Sequence, residues 1–278
     1  MNATEKEFRA FAAHLRSAGR SPGTVSKYLR DVRAFLSWLD SRPLDPGAAS
    51  GWRDHLLDQG RAPVTINSML SALNRFLRFL GREDCRTGFL RIQRRTFRAQ
   101  SKELTRTEYQ KLLETAQAQG RQRLALLMET ICSTGIRVSE VRYITVEAAR
   151  HGRAEICLKG KIRTILLPAR LCRKLLKYAG QQKTASGEIF LTRSGKSLSR
   201  RQIWREMKCL CEKAGIAPSK VFPHNLRHLF ATVFYRACRD IVKLADILGH
   251  SSINTTRIYL MTTGAEHARQ LEKLGLVT

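Results

Sequence analysis

Residues 154–168 read AEICLKGKIRTILLP. Ile156 and Leu158 alternate with polar or small neighbours, Lys159-Gly160-Lys161 reads as a turn, and 164–167 runs apolar into Pro168. A two-residue period interrupted by a glycine turn predicts a β-hairpin. Most of the remaining apolar residues recur at helical spacing. The fold class is therefore mainly α, with one small β-hairpin in the second half of the chain.

Outward from the hairpin, helical patterns are expected at 169–179, 199–214, 226–238, 240–248 and 265–274 on the C-terminal side. On the N-terminal side one lies at roughly 121–133, and another is opened by the capping box Thr105-x-x-Glu108. Residues 86–103 are rich in arginine and weakly periodic, and read as a basic linker. Before them, Ser21-Pro22 is an N-cap followed by proline at the first helical position. Val25, Tyr28, Leu29, Val32, Phe35, Leu36 and Leu39 then share a helix face. A short helix at about 47–59 follows, then one with Ile66, Met69, Leu70, Leu73, Phe76, Leu77 and Leu80 on one side, stopped by Gly81. The organisation predicted is a helical domain over 1–95, a linker over 96–102, and a second domain over 103–278 ending in a helix at 265–274.

The charge narrows the function. The chain has 278 residues, 50 basic and 23 acidic, for a net charge of +27. The excess is spread through the whole length and is densest in 151–200, where 12 basic residues face 2 acidic ones. Spread among core-forming residues, it reads as a long footprint for phosphates more than as a merely solvated surface. No stretch approaches the ~20 uninterrupted apolar residues of a membrane span, and the charged start offers no apolar core of a secretory signal. The seven scattered cysteines suit a reducing compartment. Cys209 and Cys211 are a close pair without a second pair at zinc-ligand spacing.

Four segments gather the side chains that phosphate chemistry uses. They are TGIRVSE (134–140), the hairpin tip at 159–161, PHNLRH (223–228) and LGHSSINTTRIYLMTT (248–263). Taken singly each has a plain structural reading: Arg137 as a surface arginine, His224 as a helix cap, His228 as a packing histidine, Tyr259 as a half-buried core residue. A His224–His228 metal pair lacks convergent carboxylates.

Together, in this order, the segments resemble the tyrosine recombinase (phage integrase) family, with its His-x-x-Arg motif and its Leu-Gly-His…Tyr box. The resemblance implies an N-terminal helical core-binding (SAM-like) domain followed by a tyrosine-recombinase catalytic domain. It implies that Tyr259 is the nucleophile forming a 3′-phosphotyrosyl link, which conserves the phosphodiester energy for rejoining. Arg137 and Arg227 would hold the phosphate oxygens, where negative charge grows in the transition state. His224 would act as acid/base near the nucleophile, Lys159 would protonate the leaving 5′ oxygen, His250 would hydrogen-bond a phosphate oxygen, and Glu140 would orient the arginine segment. The hairpin tip is one residue shorter than the family pattern, so Lys161 competes with Lys159. Arg30, Arg75, Arg94, Arg95, Lys161, Arg163, Arg200 and Arg201 are candidate DNA phosphate contacts.

The implied activity is site-specific recombination through a Holliday junction, with no metal and no cofactor. The partners implied are double-stranded DNA recombination sites, three further copies of the chain in a tetramer on DNA, and an accessory directionality factor or related recombinase. No membrane is involved, and the expected location is cytoplasmic, with the nucleoid. The short N-terminal region favours a compact Xer-like or mobile-element integrase, whose two domains would grip DNA from opposite faces. A type IB topoisomerase-like relaxing enzyme and a non-catalytic architectural DNA-binding factor stay open as alternatives.

Overall fold

The structure is a computed structural model that describes residues 5–40, 42–93, 103–158, 161–260 and 272–273. The chain divides into two compact units, Met1–Arg94 and Arg95–Thr278.

The first unit is built from α1 (Glu5–Ser17), α2 (Pro22–Leu39), α3 (Ala48–Asp58) and α4 (Pro63–Phe79). Ser21 caps α2 by accepting from the Thr24 amide, with Pro22 in the first turn. Two apolar clusters hold the helices together. Phe8, Phe11 and Leu15 of α1 meet Val32 and Phe76 in one, and Phe35, Trp52, Ile66, Leu70 and Leu77 form the other. The Phe11–Phe76 and Phe35–Trp52 ring pairs are edge-on at 5.1 and 5.3 Å, a favourable aromatic geometry. Two asparagines on α4 then clamp the chain that leaves the unit. Asn74 exchanges hydrogen bonds with both backbone groups of Thr87, and Asn67 does the same with Leu90. Each side-chain amide replaces a ladder partner that the extended segment would otherwise lack.

The second unit contains α5 (Arg106–Ala118), α6 (Gln122–Thr134), a 3-10 turn (Val138–Tyr143), α7 (Val146–His151), β1 (Arg153–Leu158), β2 (Lys161–Leu166), α8 (Ala169–Gln181), α9 (Arg200–Ala214), α10 (Pro223–Cys238), α11 (Ile241–Leu248), α12 (Ile253–Arg257) and a 3-10 turn (Ile258–Leu260). The Thr105/Glu108 capping box forms as the sequence predicts, and a Ser199/Gln202 box opens α9. Helices α5, α6, α8, α9 and α10 share one large core that includes Leu112, Leu127, Ile131, Leu175, Phe190, Met207 and Leu226. Strands β1 and β2 form the expected antiparallel hairpin, with Ile156 opposite Arg163 and Ala154 opposite Ile165. Ala154, Ile156, Ile165 and Leu167 face the core, while Ile162 and Leu166 are about three-quarters exposed. The apolar run at 164–167 is therefore split between two faces by the strand period. The helix beginning at Pro223 also starts three residues earlier than the periodicity suggested, because proline fits the first turn.

The expected C-terminal helix at 265–274 and the linker at 96–102 lie outside the described residues, apart from 272–273 in the helix.

Candidate active site

Three helix ends and one strand create the site. Helix α6 ends at Gly135 and α11 ends at Gly249, each glycine in the left-handed conformation that a helix C-cap uses. Neither can carry a side chain. A Cβ on Gly135 would sit 2.5 and 2.7 Å from ring carbons of Phe230, and one on Gly249 would sit 2.6 Å from two atoms of Arg163.

A helix C-terminus exposes carbonyls without intrahelical partners and carries the negative end of the macrodipole, so it attracts cations. Here three consecutive carbonyls at the end of α11 each receive one arginine. Ile247 accepts from Arg163 at 3.2 Å, Leu248 from Arg227 at 2.8 Å, and Gly249 from Arg137 at 3.4 Å. Arg227 also donates to the Gly135 carbonyl at the end of α6. A hydrogen bond from a charged donor contributes about 1.5–3 kcal/mol, so these carbonyls fix the guanidiniums in place.

The three arginines differ in what they offer. Arg227 is buried to 1% exposure. Burial, then repulsion from Arg137, lowers its pKa to about 10, and the neighbouring Tyr259 offsets part of that fall. It remains a cation at neutral pH. Arg137 keeps 41% of its side chain exposed, so its guanidinium is open to an incoming anion. Arg163 is only 16% exposed, and burial followed by the charge of Arg137 lowers its pKa as well. A single carboxylate, Glu140, answers them. Its Oε1 accepts from Arg137 at 3.0 Å, and its Oε2 accepts from the Arg137 amide at 2.7 Å and from Arg163. The guanidiniums outnumber the acid, and the surplus positive charge is held in a partly desolvated place, which strengthens its pull on an anion.

Tyr259 stands in the 3-10 turn after α12 and is 6% exposed, packed with Ala231, Leu244 and Leu248. Three histidine rings surround it: His228 at 5.1 Å, His224 at 5.7 Å and His250 at 5.7 Å, the last nearly parallel to it. Pro223 starts α10 so that His224, Arg227 and His228 come round on consecutive turns of one side. His250 is held at both nitrogens. Nε2 lies 2.9 Å from an Arg227 nitrogen and Nδ1 lies 2.8 Å from the hydroxyl of the buried Thr256. Arginine can only donate, so Nε2 accepts and the ring proton sits on Nδ1. Burial first, then the charges of Arg227, Arg137 and Arg163, lower the His250 pKa to about 4, so the ring is neutral at pH 7.

The structure thus brings together Arg137, Glu140, His224, Arg227, His250 and Tyr259. Lys159 and the side chain of Lys161 lie outside the described residues, as do Arg94 and Arg95, so the two lysines stay as alternatives. Arg30, Arg200 and Arg201 are exposed, Arg75 is half-buried on α4, and Arg30 pairs with the buried Asp31 at 3.2 Å. Arg163, grouped by sequence with the surface contacts, faces inward instead. The strand period puts it on the core side with Ile165 and Leu167, a signal legible in the alternation itself. The sequence also gave no prior sign of Thr256 as the partner of His250, or of the carbonyls that seat the arginines. His228, read as a packing histidine, packs on Tyr259. Among the described residues no group of three or more metal-ligating side chains gathers, and no helix is long and apolar enough to cross a membrane. The cleft of about 530 Å³ beside Arg121, Tyr178 and Arg205 contains none of the site residues.

Known proteins carry the same plan. Residues 102–266 match the phage integrase family, and residues 8–84 match the phage integrase N-terminal SAM-like domain. The chain is 29% identical to the tyrosine recombinase XerA of Thermococcus kodakarensis, over 98% of this chain and 96% of the relative. It is 30% identical to the tyrosine recombinase XerD of Rhizobium meliloti, over 87% and 85%. Among solved structures it shares its fold with the XerH site-specific recombinase bound to its difH substrate (TM-score 0.70, 20% identity, 96% of this chain and 84% of that one). It does so too with a lambda integrase dimer bound to a COC′ core site (TM-score 0.72, 18% identity, 92% and 94%). With its two matching domains in the same order and a relative at this identity over most of its length, the chain belongs to the phage integrase family of tyrosine recombinases.

Proposed function

We propose that this chain is a site-specific DNA recombinase whose reaction centre is Tyr259 with Arg137, Arg227, His224 and His250. The observation that carries this reading is the convergence of three histidine rings on Tyr259, one of which, His250, is hydrogen-bonded to Arg227, while Arg227 and Arg137 are seated side by side on consecutive carbonyls at the end of α11.

The geometry supports the following chemistry. The Tyr259 oxygen attacks a phosphorus of the DNA backbone and loses its proton. The bond from phosphorus to the 5′ oxygen breaks, and that oxygen takes up a proton, leaving a 3′-phosphotyrosyl link and a 5′ hydroxyl. Attack by a 5′ hydroxyl from the partner duplex reverses the steps and exchanges strands without net loss of phosphodiester bonds. Charge that grows on the non-bridging oxygens is met by Arg137, which is open, and Arg227, which is held rigid at two helix ends. His224, exposed at the start of α10, is the group on the accessible side of Tyr259 suited to move its proton. Lys159 or Lys161 at the hairpin tip supplies the proton for the leaving oxygen. His250 in its neutral Nδ1–H form supports Arg227; donating from Nε2 to a phosphate oxygen requires the other tautomer, with Nδ1 accepting from the Thr256 hydroxyl.

The two units act as separate DNA-binding domains, 1–95 and 103–278, joined by the basic linker at 96–102. Arg200 and Arg201 support a phosphate contact. They stand at the positive end of α9, where basic side chains are unfavourable by about 0.3–1 kcal/mol each, and an external anion relieves that cost. Four copies assemble on paired sites, coupled through the residues after Gly264, and the enzyme works with the nucleoid in the cytoplasm, in dimer resolution or in mobile-element movement.

The test is trapping. The chain is incubated in EDTA with a nicked duplex recovered by affinity selection from randomised duplexes, then denatured in SDS. A protein–DNA adduct made by the natural chain and absent in Tyr259→Phe supports the reading. Tight, salt-sensitive binding with no adduct contradicts it and favours an architectural role. Relaxation of site-free plasmid with no strand exchange favours a topoisomerase-like enzyme.

A further inference from the structure

Arg163 is the charged residue at the site that the recombination chemistry does not use. It sits on β2 opposite Ile156, on the strand face that otherwise carries Ile165 and Leu167. Its guanidinium reaches two other elements at once, Oε2 of Glu140 in the 3-10 turn and the Ile247 carbonyl at the end of α11. The fold makes room for it: Gly249, at φ +62°, lies where any Cβ would strike the Arg163 side chain.

Stability alone does not account for an arginine there. The side chain is desolvated, it faces the like charge of Arg137, and its Nε is buried with no hydrogen-bond partner. An apolar residue of similar volume on the same strand face avoids all three costs.

What Arg163 does is visible at Glu140. The carboxylate has two oxygens: the Arg137 guanidinium reaches Oε1 with one nitrogen only, and Oε2 accepts from the Arg137 amide at 2.7 Å and from Arg163, which together fill its two lone pairs. Were Oε2 free of Arg163, the favoured geometry for an arginine and a carboxylate is a two-pronged pair with two parallel hydrogen bonds. That pair would turn Arg137 towards the protein and neutralise it. We propose that Arg163 is a positioning residue for phosphoryl transfer: it occupies Oε2 of Glu140 and anchors that carboxylate to the end of α11, so that Arg137 keeps a single prong on Glu140 and presents the rest of its guanidinium to the scissile phosphate. The proposal rests on the recombinase reading. It locates the action of Arg163 in Arg137 and not in the hairpin lysine four or two residues before it.

The experiment uses the full chain and the nicked duplex described above. Adduct formation by the natural chain is the control for the recombinase reading, and its failure removes that reading and this proposal together. Given the adduct, Arg163→Gln and Arg163→Lys are measured for duplex affinity, single-turnover adduct rate and thermal unfolding. The expected result is affinity within about threefold of the natural chain, and an adduct rate lower by about 10- to 100-fold in Arg163→Gln. Arg163→Lys, a single point donor that cannot serve both acceptors with a fork, restores part of the rate. A second duplex with sulfur in place of the leaving 5′ oxygen needs no proton donor. The Arg163→Gln defect persists on it, because Arg137 is still misaligned. Recovery to the natural rate on the sulfur substrate overturns the proposal in favour of an action through the hairpin lysine. A natural adduct rate in either variant overturns it outright. If Arg163→Gln does not fold, the Arg163→Lys rates on the two duplexes decide by the same criteria.

Discussion

Gly135 links the stability of the second unit to its chemistry, and a paired substitution separates the two contributions. Gly135 and Gly152 both end helices with left-handed φ, +65° and +67°. An alanine at either site pays about 1–2 kcal/mol for that backbone conformation. At Gly152 the new Cβ meets nothing within 4 Å, whereas at Gly135 it overlaps two Phe230 ring carbons at 2.5 and 2.7 Å and touches Leu248 at 3.0 Å. Overpacking of this kind costs about 1–3 kcal/mol more. Gly135→Ala is therefore expected to lose about 2–5 kcal/mol, and Gly152→Ala about 1–2 kcal/mol. Urea unfolding of both variants measures the difference. The Gly135 carbonyl also holds Arg227, so adduct formation falls in Gly135→Ala while DNA affinity is kept, and neither changes in Gly152→Ala. Equal losses of stability in the two variants refute the packing argument. An unchanged adduct rate in a destabilised Gly135→Ala refutes the link to Arg227.

Other consequences are open to direct measurement. His250 has a folded pKa near 4 against an ordinary 6.5; the unfolded chain binds the proton more readily, so stability present above pH 6.5 is lost as pH falls towards 4. Urea midpoints at pH 7 and pH 5 read this, and His250→Gln flattens the fall. Arg200→Ala and Arg201→Ala each lower the slope of log affinity against log salt by about 1, if each side chain neutralises one phosphate; an unchanged slope removes them from the interface. Arg227→Lys loses the fork that spans the Gly135 and Leu248 carbonyls and His250, and single-turnover cleavage drops by about 10²- to 10³-fold with DNA binding retained.

Much of this architecture is written locally in the chain. The capping residues Ser21 and Thr105, the apolar faces of α2 and α4, and the change of period at 154–168 announce their elements because each signal lies within a few residues of its effect. The order of Arg137, His224, Arg227, His250 and Tyr259 is equally legible as a motif set. The seating of those groups is not. Three arginines from a 3-10 turn, a strand and a helix meet at the carbonyls of residues 247–249, and a backbone carbonyl has no sequence signature. Arg163 shows the limit most clearly. Its charge suggested a surface, while the alternation of its strand, with Ile165 and Leu167 inward, put it in the interior. Thr256 carries even less warning, since it lies six residues from His250 and meets it only once α12 has formed.

The central claim is that Tyr259, ringed by three histidines, is the group that joins DNA. Digestion of the trapped complex with nuclease and protease, followed by mass spectrometry of the peptides, tests it most directly. The predicted result is a nucleotide linked through its 3′ phosphate to the peptide containing Tyr259, with a free 5′ hydroxyl on the other DNA end. A nucleotide on a different side chain, or a 5′ phosphate link on Tyr259, contradicts the account.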